Sequence, residues 1–169
     1  MTEQRPRIES YVAEHPGVHF SALADALDLA NGQAQYHLHR LVKTDEVERA
    51  EFYGRTHYYP PDCPSWDRAA LALARRETAR DVLLVLLDGP ASPSDVAARI
   101  DVARSTLEHH LDHLTTHDIV RKDRGDAGRV TLRLVHPDET RRVLETVDPS
   151  LAERFVDRFI RLVDNALDP

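Results

Sequence analysis

The chain carries the same segment twice, and this limits its fold more than any other feature. Residues 8–49 and 81–122 align without a gap at a constant offset of 73. Identities fall at Val12/Val85, Ser21/Ser94, Ala24/Ala97, Asp28/Asp101, Ala30/Ala103, His37/His110, Leu38/Leu111, Leu41/Leu114 and Asp45/Asp118. Leu23/Val96, Leu27/Ile100, Leu29/Val102 and Val47/Val120 keep apolar character. A repeat of this length is one folding unit used twice, so the unit has to be identified before any local assignment.

The unit reads as three short helices and a β-hairpin. In the first copy Ile8, Tyr11 and Val12 share a helical face, and His15-Pro16-Gly17 stops that helix. A second helix is expected around 21–27, with Leu23, Ala26 and Leu27 inward. After the connector 28–30 a third runs over Asn31–Lys43, with Ala34, His37, Leu38 and Leu41 at i, i+3, i+4 and i+7. Two β-prone runs, 47–52 and Arg55–Tyr59, then flank Tyr53-Gly54 as a compact hairpin. In the second copy Ser92-Pro93-Ser94-Asp95 is a helix start with a serine cap, a first-turn proline and a third-position carboxylate. Leu107, His110, Leu111 and Leu114 form the inward face of its third helix. Val130, Leu132 and Leu134 alternate on a closing strand after the glycine-bearing loop 124–129. Two helices joined by a short turn, with a hairpin after the second, define a winged helix-turn-helix. Such a helix fits the DNA major groove while the preceding helix and hairpin brace on flanking phosphates.

The expected fold is therefore mainly α with small β-hairpin wings (α+β). Residues 1–61 form a first winged domain, 62–78 a linker helix, 79–136 a second winged domain and 137–169 a C-terminal dimerising segment. In the linker, Trp66, Ala69, Ala70, Leu71 and Leu73 point inward, and Thr78-Ala79-Arg80-Asp81 resembles a capping box opening the second copy.

The stretches Gly32-Gln33-Ala34-Gln35-Tyr36-His37-Leu38 and Tyr53-Gly54-Arg55-Thr56-His57-Tyr58-Tyr59-Pro60 resemble haloarchaeal tandem winged-helix transcriptional regulators of the ArsR/MarR type. Arg76-Glu77-Thr78-Ala79-Arg80-Asp81, Ala103-Arg104-Ser105-Thr106-Leu107-Glu108 and Val156-Asp157-Arg158-Phe159 are similar to the same family. The resemblance covers nearly the whole chain and implies double-stranded DNA binding and gene regulation. It names neither the genes controlled nor a small-molecule or metal effector.

The formal net charge of −7 is unusual for a DNA binder, whose ordinary footprint is basic. The balance of 18 Asp to 11 Glu and 2 Lys to 20 Arg is similar to that of proteins from salt-in halophiles, where acidic surface serves solubility. Net charge then does not veto DNA binding, and its local distribution decides. No apolar run is long enough to span a bilayer, so no membrane partner and a soluble, cytoplasmic protein are expected. A single cysteine, Cys63, excludes an intrachain disulfide framework and thiolate zinc sites.

The two copies differ in the helix that would read bases. Asn31–Lys43 contains no acid and offers Asn31, Gln33, Gln35, Tyr36, His39, Arg40 and Lys43 outward. Amides suit adenine, and arginine suits guanine or phosphate. The hairpin places Tyr53, Arg55, Thr56 and His57 near its tip for contact with phosphate or the minor groove, while Tyr58 and Tyr59 pack beneath it. The matching window 103–115 exposes Glu108 and Asp112, which phosphates repel. Arg104, Ser105 and Thr106 still sit at that helix start, and Arg121, Lys122, Arg124 and Arg129 make its wing basic, so the second copy either grips DNA by its wing alone or, the preferred reading, is turned over to dimer contacts.

His109, His113 and His117 share a face at i, i+4 and i+8, the spacing of a borderline metal site. Without cysteine or a partner carboxylate motif the default is surface imidazole, so no metal and no cofactor are assigned. The last helix, over Ser150–Leu167, carries a stripe of Leu151, Phe155, Phe159 and Leu162, flanked by Val156, Ile160, Val163 and Leu167. That apolar sector is too wide for a terminal helix to leave in water: it packs on its own second domain, forms a homodimer contact, or does both, and the dimer is the preferred reading because symmetric operators need a two-fold protein. No catalytic motif is present. The alternatives are a winged-helix protein–protein module of the transcription machinery and a metal-responsive ArsR-type repressor.

Overall fold

A computed structural model describes residues 3–167; within the last helix the side chains of Phe155, Arg158 and Phe159 lie outside the described residues. The first copy runs α1 (Gln4–Glu14), β1 (Val18–His19), α2 (Phe20–Ala26), α3 (Asn31–Lys43), β2 (Glu48–Phe52) and β3 (Arg55–Tyr59). After α4 (Ser65–Ala74), the second runs α5 (Glu77–Leu87), α6 (Pro93–Ile100), α7 (Arg104–Thr116), β4 (Val120–Arg124) and β5 (Val130–Leu134), followed by α8 (Pro137–Val147) and α9 (Ser150–Leu167). The first sheet is antiparallel in the order β1-β3-β2, with Val18 opposite Tyr58 and Arg49 opposite Tyr58 on the other side. In the second copy β4 and β5 pair alone, and a single bridge from Ala91 to Leu132 takes the place of β1. Each copy is a winged helix-turn-helix, and the whole is an α+β chain.

The repeated aspartates have a backbone cause. Asp28 and Asp101 have φ of 53° and 57°, and Asp45 and Asp118 have φ of 59° and 56°. Each sits just past a helix end in the left-handed region, where a short polar side chain is tolerated better than most. The next residue closes the helix by reaching back: Leu29 N to Ala24 O at 2.9 Å, Val102 N to Ala97 O at 3.1 Å, Glu46 N to Leu41 O at 3.0 Å and Ile119 N to Leu114 O at 2.9 Å. These are Schellman closures, and they set the turn that launches each reading helix and each wing. Ser92 caps α6 as its position implies, its Oγ accepting from Asp95 N at 3.1 Å. The box expected at 78–81 does not form. Helix α5 begins earlier, at Glu77, and Arg80 N bonds to Arg76 O at 2.8 Å to close the first turn, leaving Thr78 inside the helix.

Two cores result. Ile8, Val12, Leu23, Leu38, Leu41, Val47 and Tyr58 make the first. The second gathers Leu83, Val96, Leu107, Leu111, Leu114, Ile119 and Leu132, and also takes Ala70 and Leu73 of α4 and Leu151 of α9. Leu38, Leu41, Leu111 and Leu114 are at most 1% exposed. Burial of each such side chain contributes roughly 1.5–3 kcal/mol. Leu151, expected at a dimer contact, is instead 4% exposed in its own core, because the turn after α8 folds the start of α9 back onto it. Phe155 and Phe159 of the same stripe lie outside the described residues, and Leu162 is 60% exposed.

Helix α4 ties the copies together. Its alanine-rich side is in the second core, while Arg75, just past its end, donates to Pro16 O at 2.8 Å. Asp67 accepts two hydrogen bonds of 3.1 Å from Arg142 of α8. Gly17 (φ +85°) meets α4 so closely that an added Cβ would lie 3.0 Å from Leu71 Cβ. Gly17→Ala is therefore expected to destabilise the protein by about 1–3 kcal/mol, from left-handed strain and overlap together. Urea unfolding measures this, and a change under about 0.5 kcal/mol would contradict the close approach.

Candidate nucleic-acid interface

Helix α3 and the first hairpin enclose an open groove of about 910 Å³. Asn31, Gln35, His39 and Lys43 face it from α3; Arg49, Arg55 and Thr56 face it from the wing; His19, Phe20 and Ser21 close one end. The helical period explains the first set, since positions 31, 35, 39 and 43 lie beside the buried face of Ala34, His37, Leu38 and Leu41. No carboxylate lines the groove, and none of the ion pairs among the described residues engages Lys43, Arg49 or Arg55. Three uncommitted cations and several amide or imidazole groups on one concave, acid-free surface suit a polyanion whose bases carry donors and acceptors.

The other residues expected at the interface are placed differently. Gln33 turns back, its Oε1 accepting from Ala30 N at 3.3 Å, so it helps cap α3. Tyr36 and Arg40 pair on the adjoining exposed side of α3, where Arg40 donates to the Tyr36 hydroxyl at 2.8 Å. His57 is a correction. It is 2% exposed, and its Nδ1–H donates to Gly17 O at 2.6 Å. Its ring is enclosed by the Gly17 loop, Phe52 and His19, so His57 packs inside where simple alternation would leave a residue outward. His19, Phe20, Ser21 and Arg49 were not singled out from the sequence. The repeat held a signal for two of them: His19 is the counterpart of the cap Ser92, and its Nδ1 likewise accepts from Ala22 N at 3.4 Å. Arg49 is the counterpart of Lys122, a basic position kept in both wings.

The matching surface of the second copy is closed by its own charges. Glu108 and Asp112 stand where the first copy has Gln35 and His39. Lys122 of the wing donates to Glu108 at 2.8 Å, and Arg104 reaches the same carboxylate at 3.3 Å and Ser94 Oγ at 3.2 Å. The bond from Lys122 in particular holds the Glu108 carboxyl below its ordinary range. Arg121 and Arg133, opposite each other in register, share Asp123 at 2.7 and 3.1 Å. Ser105 and Thr106 are exposed at the start of α7, and Arg124 and Arg129 are exposed at the base of the second wing loop, outside any ion pair among the described residues.

The histidines of α7 do not gather as ligands: among the described residues no group of three His, Cys, Asp or Glu converges on a metal position. Three of them meet an aromatic ring instead, that of Tyr53 at the first wing tip. Among the described residues no helix is long and apolar enough to cross a membrane.

Parts of the chain are similar to known proteins. Residues 2–71 match a family model described as an N-terminal helix-turn-helix domain, and residues 73–123 match one described as a helix-turn-helix domain. Fold and matches together show two helix-turn-helix domains in succession. Similar solved structures include HlyU from Vibrio cholerae, at 22% identity over 53% of this chain and 90% of that one, with a TM-score of 0.43. The transcriptional repressor BigR from Xylella fastidiosa aligns at 21% identity over 47% of this chain and 83% of its own, with a TM-score of 0.42. A homodimeric winged helix-turn-helix DNA-binding domain from Mycobacterium bovis, from a possible ArsR-family regulator, aligns at 21% identity over 56% and 79%, with a TM-score of 0.40. A comparison with curated proteins gives no match.

Burial holds the His37 and His57 imidazoles below their ordinary value of 6.5. The unfolded chain therefore takes up protons before the folded one as pH falls, and stability is lost below about pH 6.5. Urea unfolding is expected to show a loss of about 1 kcal/mol between pH 7.5 and 5.5 from these groups. The loss should shrink in His37→Leu, which removes an imidazole whose Nδ1 has no hydrogen-bond partner among the described residues. An unchanged pH profile in that variant would show that His37 does not contribute.

Proposed function

We propose that the chain is a non-enzymatic transcriptional regulator that reads double-stranded DNA in a sequence-specific way through its first winged helix. In this reading α3 enters the major groove with Asn31, Gln35 and His39 toward base edges. Lys43, Arg49, Arg55 and Thr56 contact the backbone, and Tyr36 and Arg40 extend the contact along the exposed side of α3. The second copy adds only phosphate contacts, through Arg124 and Arg129. The single observation that carries the reading is the acid-free groove, with its three uncommitted cations, in a protein of net charge −7. The Asp-rich composition fits the haloarchaeal resemblance, and high intracellular salt would shift the affinity from counterion release toward base contacts and dimerisation.

Exchanging residues between the copies tests this assignment. Gln35→Glu with His39→Asp gives the first groove the second copy's acids and should cost about 1–3 kcal/mol of specific affinity per position. Glu108→Gln with Asp112→His should leave affinity within about 0.5 kcal/mol, the ordinary range for surface changes away from a site. Gel shifts with genomic fragments and competitor DNA, in low and in molar potassium chloride, measure both. Equal losses from the two exchanges, or none from the first, would overturn the choice of the first copy. Failure of the parent protein to bind any fragment would favour a protein–protein module.

We further propose a homodimer through α9, because symmetric half-sites call for a two-fold protein. Val156, Ile160, Val163 and Leu167 are 57%, 51%, 38% and 77% exposed and recur at i, i+4, i+7 and i+11. These positions adjoin the stripe expected at the two-fold contact, of which Leu162 is 60% exposed and Leu151 is buried in its own core. Val156→Lys with Ile160→Lys should yield a folded monomer with most of its operator affinity lost, as sedimentation and gel shift would record. A parent protein that sediments as a monomer at tens of micromolar would refute the dimer.

A further inference from the structure

The tip of the first wing turns away from the groove and onto the second copy. The Tyr53 ring stacks on His113 with centroids 3.5 Å apart and planes at 26°. The Arg76 guanidinium, from the start of α5, covers the ring at 4.0 Å from its centroid. The phenol lies 3.3 Å from His110 Nδ1, and Arg76 donates to the carbonyls of Phe52 at 3.4 Å and Tyr53 at 3.3 Å. Phe52 also meets His117 edge-on at 5.3 Å. The turn needs none of this for its own shape, since Tyr53 and Gly54 already have the positive φ angles, 55° and 71°, of a primed two-residue hairpin.

We propose that Tyr53 is a positioning residue for DNA binding, and that the second winged helix serves as the clasp that holds the first wing at its working angle. The inference rests on the reading of the α3 groove as the DNA face. Tyr53 packs on His109 and His113, the counterparts of the exposed Tyr36 and Arg40, and reaches His110, the counterpart of the buried His37, so the side that Tyr36 and Arg40 leave open in the first copy is covered in the second. Arg55 follows the turn directly, and the hairpin strands are only five residues each. Clasping the tip therefore fixes where the Arg55 and Thr56 side chains stand relative to α3. A charge-assisted bond to phosphate is sensitive to shifts of a few tenths of an ångström. A wing already held in place also gives up less freedom when it binds.

The clasp responds to protons. Groups facing Tyr53 are Arg76 from α5 and His109, His110, Asp112 and His113 from α7, with His117 beside Phe52. Burial pushes the Tyr53 phenol up to about 12, so it stays protonated, and it can donate to His110 Nδ1 only while that imidazole is neutral. Burial, with help from neighbouring imidazoles and Arg76, holds His110 and His113 below 6.5, while Asp112 opposes this at His113. Because the closed form takes protons less readily, falling pH favours the open one below about 6.5, and the clasp is at full strength above it.

The test uses the full chain, its best-bound duplex and fluorescence anisotropy at pH 7.5 and 5.5. Tyr53→Ala should weaken binding about tenfold at pH 7.5, the combined scale of a ring stack and a cation–π contact. Tyr53→Phe keeps both ring contacts and should bind nearly as the parent at pH 7.5, but with a flatter pH profile. Proton NMR of the histidine rings without DNA reports the clasp independently: the His113 ring protons should carry a ring-current shift in the parent and in Tyr53→Phe that is lost in Tyr53→Ala. Parent-like affinity in Tyr53→Ala, or an unchanged pH profile in Tyr53→Phe, would overturn the inference. If the parent binds no duplex while the His113 shift is present, the groove reading fails and the positioning role fails with it.

Discussion

The packing of α4 on Gly17 is the contact on which the arrangement of the two copies depends. Leu71 sits against a backbone that has no room for a Cβ, and Arg75 fastens the same loop through Pro16 O. The other side of α4 is built into the second core, and α8 is tied to it through Asp67 and Arg142. Each winged unit is about 60 residues long, near the lower limit for independent stability, so sharing a helix lets both bury more surface than either would alone. Once the copies are held this way, the first wing tip lies on α7 and the α3 groove stays open to solvent.

From that arrangement the two copies diverge in chemistry while keeping one backbone plan. Aspartates at matching helix ends hold the same left-handed turn in both. On the surface, Gln35 and His39 face Glu108 and Asp112 across the repeat, Arg49 faces Lys122, and Tyr36 and Arg40 face His109 and His113. In the first copy these side chains leave a cationic groove; in the second they form internal ion pairs and a seat for Tyr53. Exposed pairs such as Lys122–Glu108 add little stability. Their greater consequence is that the cation is already neutralised where a phosphate would have to bind.

Much of this was legible in the residues. The offset of 73 gave the repeat, and the leucine period gave α3 and its inward face over the range observed. What could not be read was set by contacts between residues far apart in the chain. A histidine in a β-prone hairpin reads as a surface group, yet His57 is inside, its ring bonded to the Gly17 carbonyl and lying beside Phe52 and His19. Tyr53 reads as a tip residue, and only the placement of α7 shows that the tip has somewhere to pack. His109, His113 and His117 read as surface imidazoles at metal-ligand spacing, whereas two of them, His109 and His113, meet the Tyr53 ring of the first wing. Leu151 belongs to an amphipathic stripe, but a helix stripe does not say where along its length the core ends.

The central claim is that one of two like-folded copies reads DNA and the other supports it. Amide chemical-shift mapping of the full chain, titrated with a bound duplex, tests this most directly. The account predicts that large shifts concentrate on Asn31–Lys43 and on the strand positions of Arg49, Arg55 and Thr56, with smaller ones at Arg124 and Arg129 and almost none along α7 beyond its first turn. Shifts of equal size along α3 and α7, or confined to α7 and the second wing, would contradict it.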